Sequence, residues 1–182
     1  GDAALKADRI IGVFRQPTFI DKQIKMFVAV KSGAAYQLYT YTYEQKTSGS
    51  DIITCVDKKD ITSWAGGMSD DCKMFTNGVE VPLNYLYIAK GNDLWRTSYE
   101  SQADPKAVKS FPAPITAAEV VISTPNTISE NTKELYTAIF TYDTSAKTSK
   151  MYVLDARTDD LKAYSEVETA IPGKVVRYLA NQ

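Results

Sequence analysis

Hydrophobic positions along this chain fall in short alternating runs filled mainly by aromatic and β-branched residues. Alternation puts every second side chain on one face of a strand. Three pairs of runs flank turn residues. Residues 24–30 and 36–43 are separated by Lys31-Ser32-Gly33, and residues 85–89 and 93–99 by Lys90-Gly91-Asn92. Residues 135–142 and 150–155 flank a polar loop over 143–149. Each pair reads as a β-hairpin, with Gly and Asn supplying the positive φ of tight turns. No long segment keeps the i, i+3, i+4, i+7 apolar stripe of a helix. The best helical candidate, 115–121, runs into Val120-Val121-Ile122, which suits a strand better.

The hairpins recur on a common period. Their second strands share a polar–aliphatic–aromatic triplet: Gln37-Leu38-Tyr39, Asp93-Leu94-Trp95 and Lys150-Met151-Tyr152. Tyr39 and Trp95 are 56 positions apart, Trp95 and Tyr152 57. A second series of short apolar runs centres on Ile10, Trp64, Val120 and Val175, spaced by 54, 56 and 55. Two series with one beat predict an internal repeat. Each unit reads as a first strand, a hairpin and a weaker fourth strand, the last expected at 51–55, 107–111 and 161–167. Four antiparallel strands in ~50 residues make a β-propeller blade. Such a small sheet cannot bury both of its faces alone, so blades stack.

The expected fold is therefore all-β and β-propeller-like. It has three four-stranded blades (approximately 8–58, 61–112 and 117–168) and a final strand at 174–179, in one repeat domain over 1–182. Three blades do not close a ring, which takes about four to eight. A fragment of a longer chain, a ring completed by another copy and an open stack all follow. The fragment is favoured, because the chain starts abruptly inside what reads as a first strand. The stretch 63–82 departs from the repeat. Its Asn77-Gly78 step predicts an extra small hairpin inserted on one face.

Composition narrows the function classes. The chain of 182 residues has 21 Lys and Arg against 22 Asp and Glu, a net charge of −1. It lacks the clustered positive charge that nucleic acid or an anionic membrane demands. No apolar run reaches the ~20 residues of a membrane span, and no signal peptide is visible. There is no histidine, which removes imidazole acid–base chemistry and His-based nucleophile pairs. The two cysteines, Cys55 and Cys72, could form a disulfide in an exported protein but cannot complete a four-ligand zinc site alone. No cofactor and no metal site are expected. No phosphate-binding glycine frame is present, since Gly66-Gly67 fits neither known spacing.

The hairpin Tyr-Leu-Tyr-Ile-Ala-Lys-Gly-Asn-Asp-Leu-Trp-Arg (85–96) resembles the repeating unit of the PKD-like lipoproteins of Bacteroides and relatives. The run Ile171-Pro172-Gly173-Lys174-Val175-Val176 is similar to the segment that opens a blade there. The resemblance spans about residue 24 to the end and departs at 63–82. It implies an exported lipoprotein, periplasmic or at the outer-membrane surface, whose propeller-like part binds an extracellular ligand such as a glycan or a protein.

Candidate chemistry is sparse. Trp64, ahead of Gly66-Gly67, could be an exposed stacking platform, although burial is the more common fate of such a residue. Asp70 and Asp71 could touch a cation, but without the alternating Asp/Asn frame of a calcium loop a solvated loop reads better. Trp95 sits at a repeat position and reads as packing between blades. No catalytic residue is recognisable, and the chain is expected not to be an enzyme. The alternatives are a glycosidase-like fragment using two carboxylates roughly 5–10 Å apart, and an assembly element pairing through open sheet edges, as a homo-oligomer or with the rest of a longer chain.

Overall fold

A computed structural model describes residues 5, 7–15, 23–76, 85–123, 134–155, 158, 161–166 and 170–176. These residues form three four-stranded antiparallel sheets in chain order. The first contains β1 (Arg9–Arg15), β2 (Gln23–Ser32), β3 (Ala35–Glu44) and β4 (Ile52–Asp60). The second contains β5 (Lys73–Thr76), β6 (Tyr85–Lys90), β7 (Asp93–Ser98) and β8 (Lys106–Ser110). The third contains β9 (Ile115–Ser123), β10 (Glu134–Asp143), β11 (Thr148–Asp155) and β12 (Leu161–Glu166). A short β13 (Ile171–Pro172) pairs with the start of β11.

Each sheet is a simple meander. Its central hairpin is the one expected from the alternating runs. The β2–β3 and β6–β7 turns hold two residues each, with Gly33 at φ +61 and Gly91 at φ +55 in the first position. A side chain at that φ would meet its own carbonyl, so glycine is the low-cost choice. The longer β10–β11 turn is held by Asp143, whose Oδ1 accepts from the Ser145 and Ala146 amides at 2.8 and 3.0 Å.

The repeat places its aromatic residues equivalently. Tyr39, Trp95 and Tyr152 all lie on third strands, opposite Val28, Ile88 and Ile139 of the second strands. Trp95 stands two positions closer to its turn than the other two, which leaves it on the same face. It packs against the core between the first two sheets, as expected.

Those sheets are joined through shared cores. Phe27, Ala29 and Leu38 of the first sheet meet Leu86 and Ile88 of the second. Tyr87, Ala89 and Leu94 on the other face of the second sheet meet Ile139, Tyr152 and Leu154 of the third. Successive residues of β6 thus enter opposite cores, the period-two rule of a strand buried on both faces. Each fully buried Leu or Ile contributes about 1.5–3 kcal/mol, and neither sheet could bury these residues without its neighbour. The first strands also approach one another, β1 beside β5 and β5 beside β9.

Two elements differ from expectation. The first strand of the second sheet is β5, not the run around Trp64, which forms a 3-10 turn over Trp64–Gly66. Ala65, Gly66 and Gly67 have φ of 54°, 70° and 110°, and successive left-handed residues cannot extend into a ladder. Phe75 and Thr76, read as part of an inserted hairpin, instead belong to β5 and pair with Tyr87 and Leu86. Asn77-Gly78 lies outside the described residues. The expected final strand at 174–179 is not formed over Lys174–Val176, which carries no strand. Pro172 has no amide to donate and Gly173 turns at φ +86, so pairing stops at Pro172; residues 177–179 lie outside the described residues.

Ile88 is fully buried between two sheets. Ile88→Ala is expected to cost about 2–5 kcal/mol, read as a lower urea midpoint.

Candidate functional site

The residues singled out from sequence turn out to be structural. Trp64 is 2% exposed and lies in the core between the first two sheets, so it offers no stacking platform. The Lys90 ammonium clasps its turn, donating to the Gly67 carbonyl at 2.6 Å and the Ala65 carbonyl at 3.4 Å. Asp70 is already engaged. Its carboxylate accepts from Lys31 Nζ at 2.8 and 2.9 Å and from the Tyr36 hydroxyl at 2.5 Å. These bonds fasten the 63–72 connection to the β2–β3 hairpin and, with the Lys31 bond as the largest influence, hold the Asp70 carboxyl below its usual range. Asp71 accepts from the Ser69 hydroxyl, which lowers its pKa in turn. Among the described residues no group of three or more His, Cys, Asp or Glu could hold a metal ion.

Cys55 and Cys72 are free thiols. Cys55 packs against the cluster of Val30, Tyr39 and Tyr41 on the outward face of the first sheet. Cys72 lies in the core on the opposite face. A sheet separates them, so the disulfide considered from sequence does not form.

A cleft of ≈ 220 Å³ opens elsewhere, between the first sheet and the β7–β8 connection. Its sheet wall is formed by Lys25 and Phe27 of β2, Thr40 of β3, and Val56, Asp57 and Lys59 of β4. A β-bulge shapes that wall. Thr40 pairs with Asp57 and Tyr41 with Cys55, which leaves Val56 without a partner. A bulge bends its strand and re-aims nearby side chains.

The opposite wall is the turn Tyr99-Glu100-Ser101-Gln102. Ser98 organises it: its hydroxyl accepts from the Glu100 and Ser101 amides at 3.1 and 3.4 Å, and its carbonyl accepts from the Gln102 amide at 2.8 Å. Thr97 closes the turn through its hydroxyl, which donates to the Ala103 carbonyl at 2.6 Å. Tyr99 is buried, its ring 5.4 Å from that of Phe27. Burial, with the Glu100 charge in second place, pushes its hydroxyl pKa up to about 12.

Gln102 is the unusual residue of this turn. Its φ is +48°, an uncommon conformation for a residue with a Cβ. It is 6% exposed. Its side-chain amide donates to Thr40 Oγ1 at 3.2 Å and to the Tyr99 carbonyl at 3.3 Å, and its own carbonyl accepts from Lys59 Nζ. Because the Tyr99 carbonyl can only accept, the NH2 group must face it, which fixes the orientation of the amide. Gln102 Oε1 is then buried with no donor among the described residues. A buried acceptor without a partner costs about 1–3 kcal/mol, and this oxygen is closed off from the cleft's solvent. Sequence reasoning missed Gln102, because nothing in Glu100-Ser101-Gln102-Ala103 signals a left-handed residue.

A second cleft of ≈ 220 Å³ lies over Pro112, Ala113, Thr141, Asp143, Thr148, Lys150 and Tyr152. Among the described residues, the unpartnered buried side-chain atoms are Gln102 Oε1 and Thr137 Oγ1, and neither belongs to a residue lining it.

No family model matches this chain, and no curated protein matches it. Among solved structures it is similar to the crystal structure of an ACO/RPE65 chimera, at TM-score 0.45 and 16% identity over 92% of this chain and 39% of that one. It is also similar to a Synechocystis ACO mutant, at TM-score 0.44 and 16% identity over 92% and 38%. The chain therefore spans about two-fifths of the length of these structures. They are carotenoid oxygenase/RPE65 enzymes, and the expectation that the chain is not an enzyme is withdrawn. Its lack of histidine removes imidazole chemistry alone. Likeness at this level assigns no reaction, cofactor or residue to the chain.

Two pH effects follow. The Asp70 carboxyl is depressed in the folded state from 3.8, so its stabilisation is present above that value and is lost as the pH falls through the folded pKa. Asp70→Asn is expected to lower stability at neutral pH and to flatten the acid limb of a urea-midpoint profile. Tyr99 is raised from 10.0 to about 12. Its contribution is complete below pH 10 and is lost as the pH approaches 12, because the unfolded chain releases the proton first. Tyr99→Phe is expected to make the alkaline limb of the same profile shallower.

Proposed function

We propose that this chain is a binding module of an exported bacterial surface lipoprotein, and that the cleft over Gln102 is its binding site. The observation that carries the reading is a cleft whose wall, the hydrogen-bonded turn 99–102, faces a rim of Lys25, Asp57, Lys59 and Glu100. Pockets that hold small ligands set a few fixed polar groups in a largely preformed wall, and the hydrogen-bonded turn 99–102 is such a wall. Export and the lipoprotein character are supported by the resemblance of residues 85–96 and 171–176. A propeller-like arrangement of the three sheets is supported by their shared cores and by the approach of β1, β5 and β9.

A second reading has one observation in its favour. Asp57 and Glu100 line the same cleft, as a carbohydrate-cleaving carboxylate pair would. That chemistry needs one carboxyl held protonated, commonly by burial, and both of these residues are exposed. Binding is the better-supported role.

The test is a titration of the isotope-labelled chain with glycine, methylamine, acetate, glycerol and glucose, each alone, followed by amide NMR. At least one probe is expected to give saturable shifts centred on Thr40, Asp57 and the 99–102 turn. Those shifts should vanish in Ser101→Trp, which sets a bulky ring at the exposed cleft wall. Absence of saturable shifts with all five probes, or shifts centred elsewhere, overturns the site. Export is tested separately, by external protease digestion of the full-length protein on intact cells. Digestion supports surface exposure and complete protection refutes it.

A further inference from the structure

We propose that this chain associates with a second copy of itself, the outward face of its first sheet docking on the outward face of the partner's third sheet. The surface is separate from the cleft and does not depend on the binding role assigned there.

The repeat gives each sheet two faces with fixed partners. Phe27, Ala29 and Leu38 look from the first sheet to the second. Tyr87, Ala89 and Leu94 hold the same register positions and look from the second sheet to the third. Ala138, Phe140 and Met151 are their counterparts in the third sheet, Met151 opposite Phe140 as Leu38 is opposite Ala29. They form a cluster of the same kind, but no residue of another sheet belongs to it among the described residues.

The first sheet shows the other half of that junction. Ile88 and Ile139 lie in cores shared with the preceding sheet and are fully buried. Leu86 and Thr137, two positions earlier, are fully buried as well. The equivalent Val28 and Met26 of the first sheet are only half-buried. They share their face with Ile10, Val13 and Ile53, which are 54%, 67% and 63% exposed.

The connecting segments follow the same scheme. After the fourth strand the chain returns to its own central hairpin in every unit. The amides of Ile61, Phe111 and Gly173 donate to the Tyr36, Asn92 and Lys147 carbonyls at 2.9, 2.9 and 3.0 Å. The connection then adds apolar side chains to the core shared with the next sheet. Ile61 and Trp64 do so after the first sheet, Phe111 and Ile115 after the second, and all four are buried. Ile171 and Val175 take that place after the third, but they are half-buried and Val176 is 74% exposed.

The two ends of the stack are therefore the two halves of the junction that joins sheet to sheet inside the chain. A second copy presents the complement of each end. Tyr39 and Phe140, at the centres of the two faces, are already covered, so docking removes the apolar margins around them from water. Such a contact is heterologous, running head to tail. Two copies bring together six sheets, three from each, within the range of about four to eight that closes a propeller.

The test is sedimentation velocity of the intact chain over a dilution series from millimolar to micromolar. A concentration-dependent rise from the mass of one copy to that of two is expected. Val13→Lys charges the first face. Val176→Lys charges the connection over the third, and Val153→Lys charges that sheet itself, opposite Ala138. Each should move the association at least about tenfold to higher concentration, the worth of one buried valine. Val13 and Val176 are exposed in the single chain, so their replacement leaves its packing intact. Ile52→Lys, at an exposed position on the opposite face of the first sheet, should leave the association unchanged. A chain that stays monomeric throughout the series overturns the proposal. So does association that responds to Val13→Lys but to neither third-sheet variant, the signature of one face pairing with itself. Weakening by Ile52→Lys equal to that by Val13→Lys also overturns it, since it assigns the contact to the β4 edge.

Discussion

Burial of apolar side chains between neighbouring sheets is the interaction on which this structure depends. A four-stranded sheet of short strands has two faces and no means of covering either. Leu86 and Ile88 turn to one neighbour, Tyr87 and Ala89 to the other, and all four are essentially removed from water. The second sheet is therefore held from both sides. The 63–72 connection reinforces the first of these contacts by adding Trp64, Ala65, Met68 and Cys72 to the core. It is fastened from outside by the Asp70 bonds to Lys31 and Tyr36.

The cleft follows from the same constraint. At the outer strands of the first sheet, the gap beside the second sheet is closed by the turn 99–102. Tyr99 fills the apolar part of the gap against Phe27, and Gln102 bridges to Thr40 and Lys59 across it. Holding Gln102 in a left-handed conformation sets its side-chain amide against Thr40 and the Tyr99 carbonyl and leaves Oε1 buried without a donor among the described residues. The packing that joins two sheets thus also creates a preformed polar floor with free charges around it.

The repeat was readable in particular residues. Tyr39, Trp95 and Tyr152 marked equivalent third strands because each unit keeps a large aromatic ring on the corresponding face, which in the second and third sheets meets the preceding sheet. Gly33 and Gly91 marked hairpin turns because of their φ. The reading failed at Trp64, where apolar character was mistaken for a strand. Burial in a linker turn and burial in a strand select the same residue types, and Ala65 gives no local warning of its positive φ. It also failed at 174–176, where Pro172 and Gly173 end the pairing after two residues.

The sequence by itself determined the all-β class, the three hairpins and their period, because these depend on alternation and turn chemistry within about ten neighbouring residues. It also determined that no imidazole chemistry is available. Tertiary structure alone decided that Asp70 is a fastener, that Trp64 is core, and that Cys55 and Cys72 stand on opposite faces of a sheet. It alone brought Lys25, Asp57 and Gln102 to one cleft. Those outcomes depend on which distant strands face each other and how a turn orients one amide, and local alternation carries no record of either.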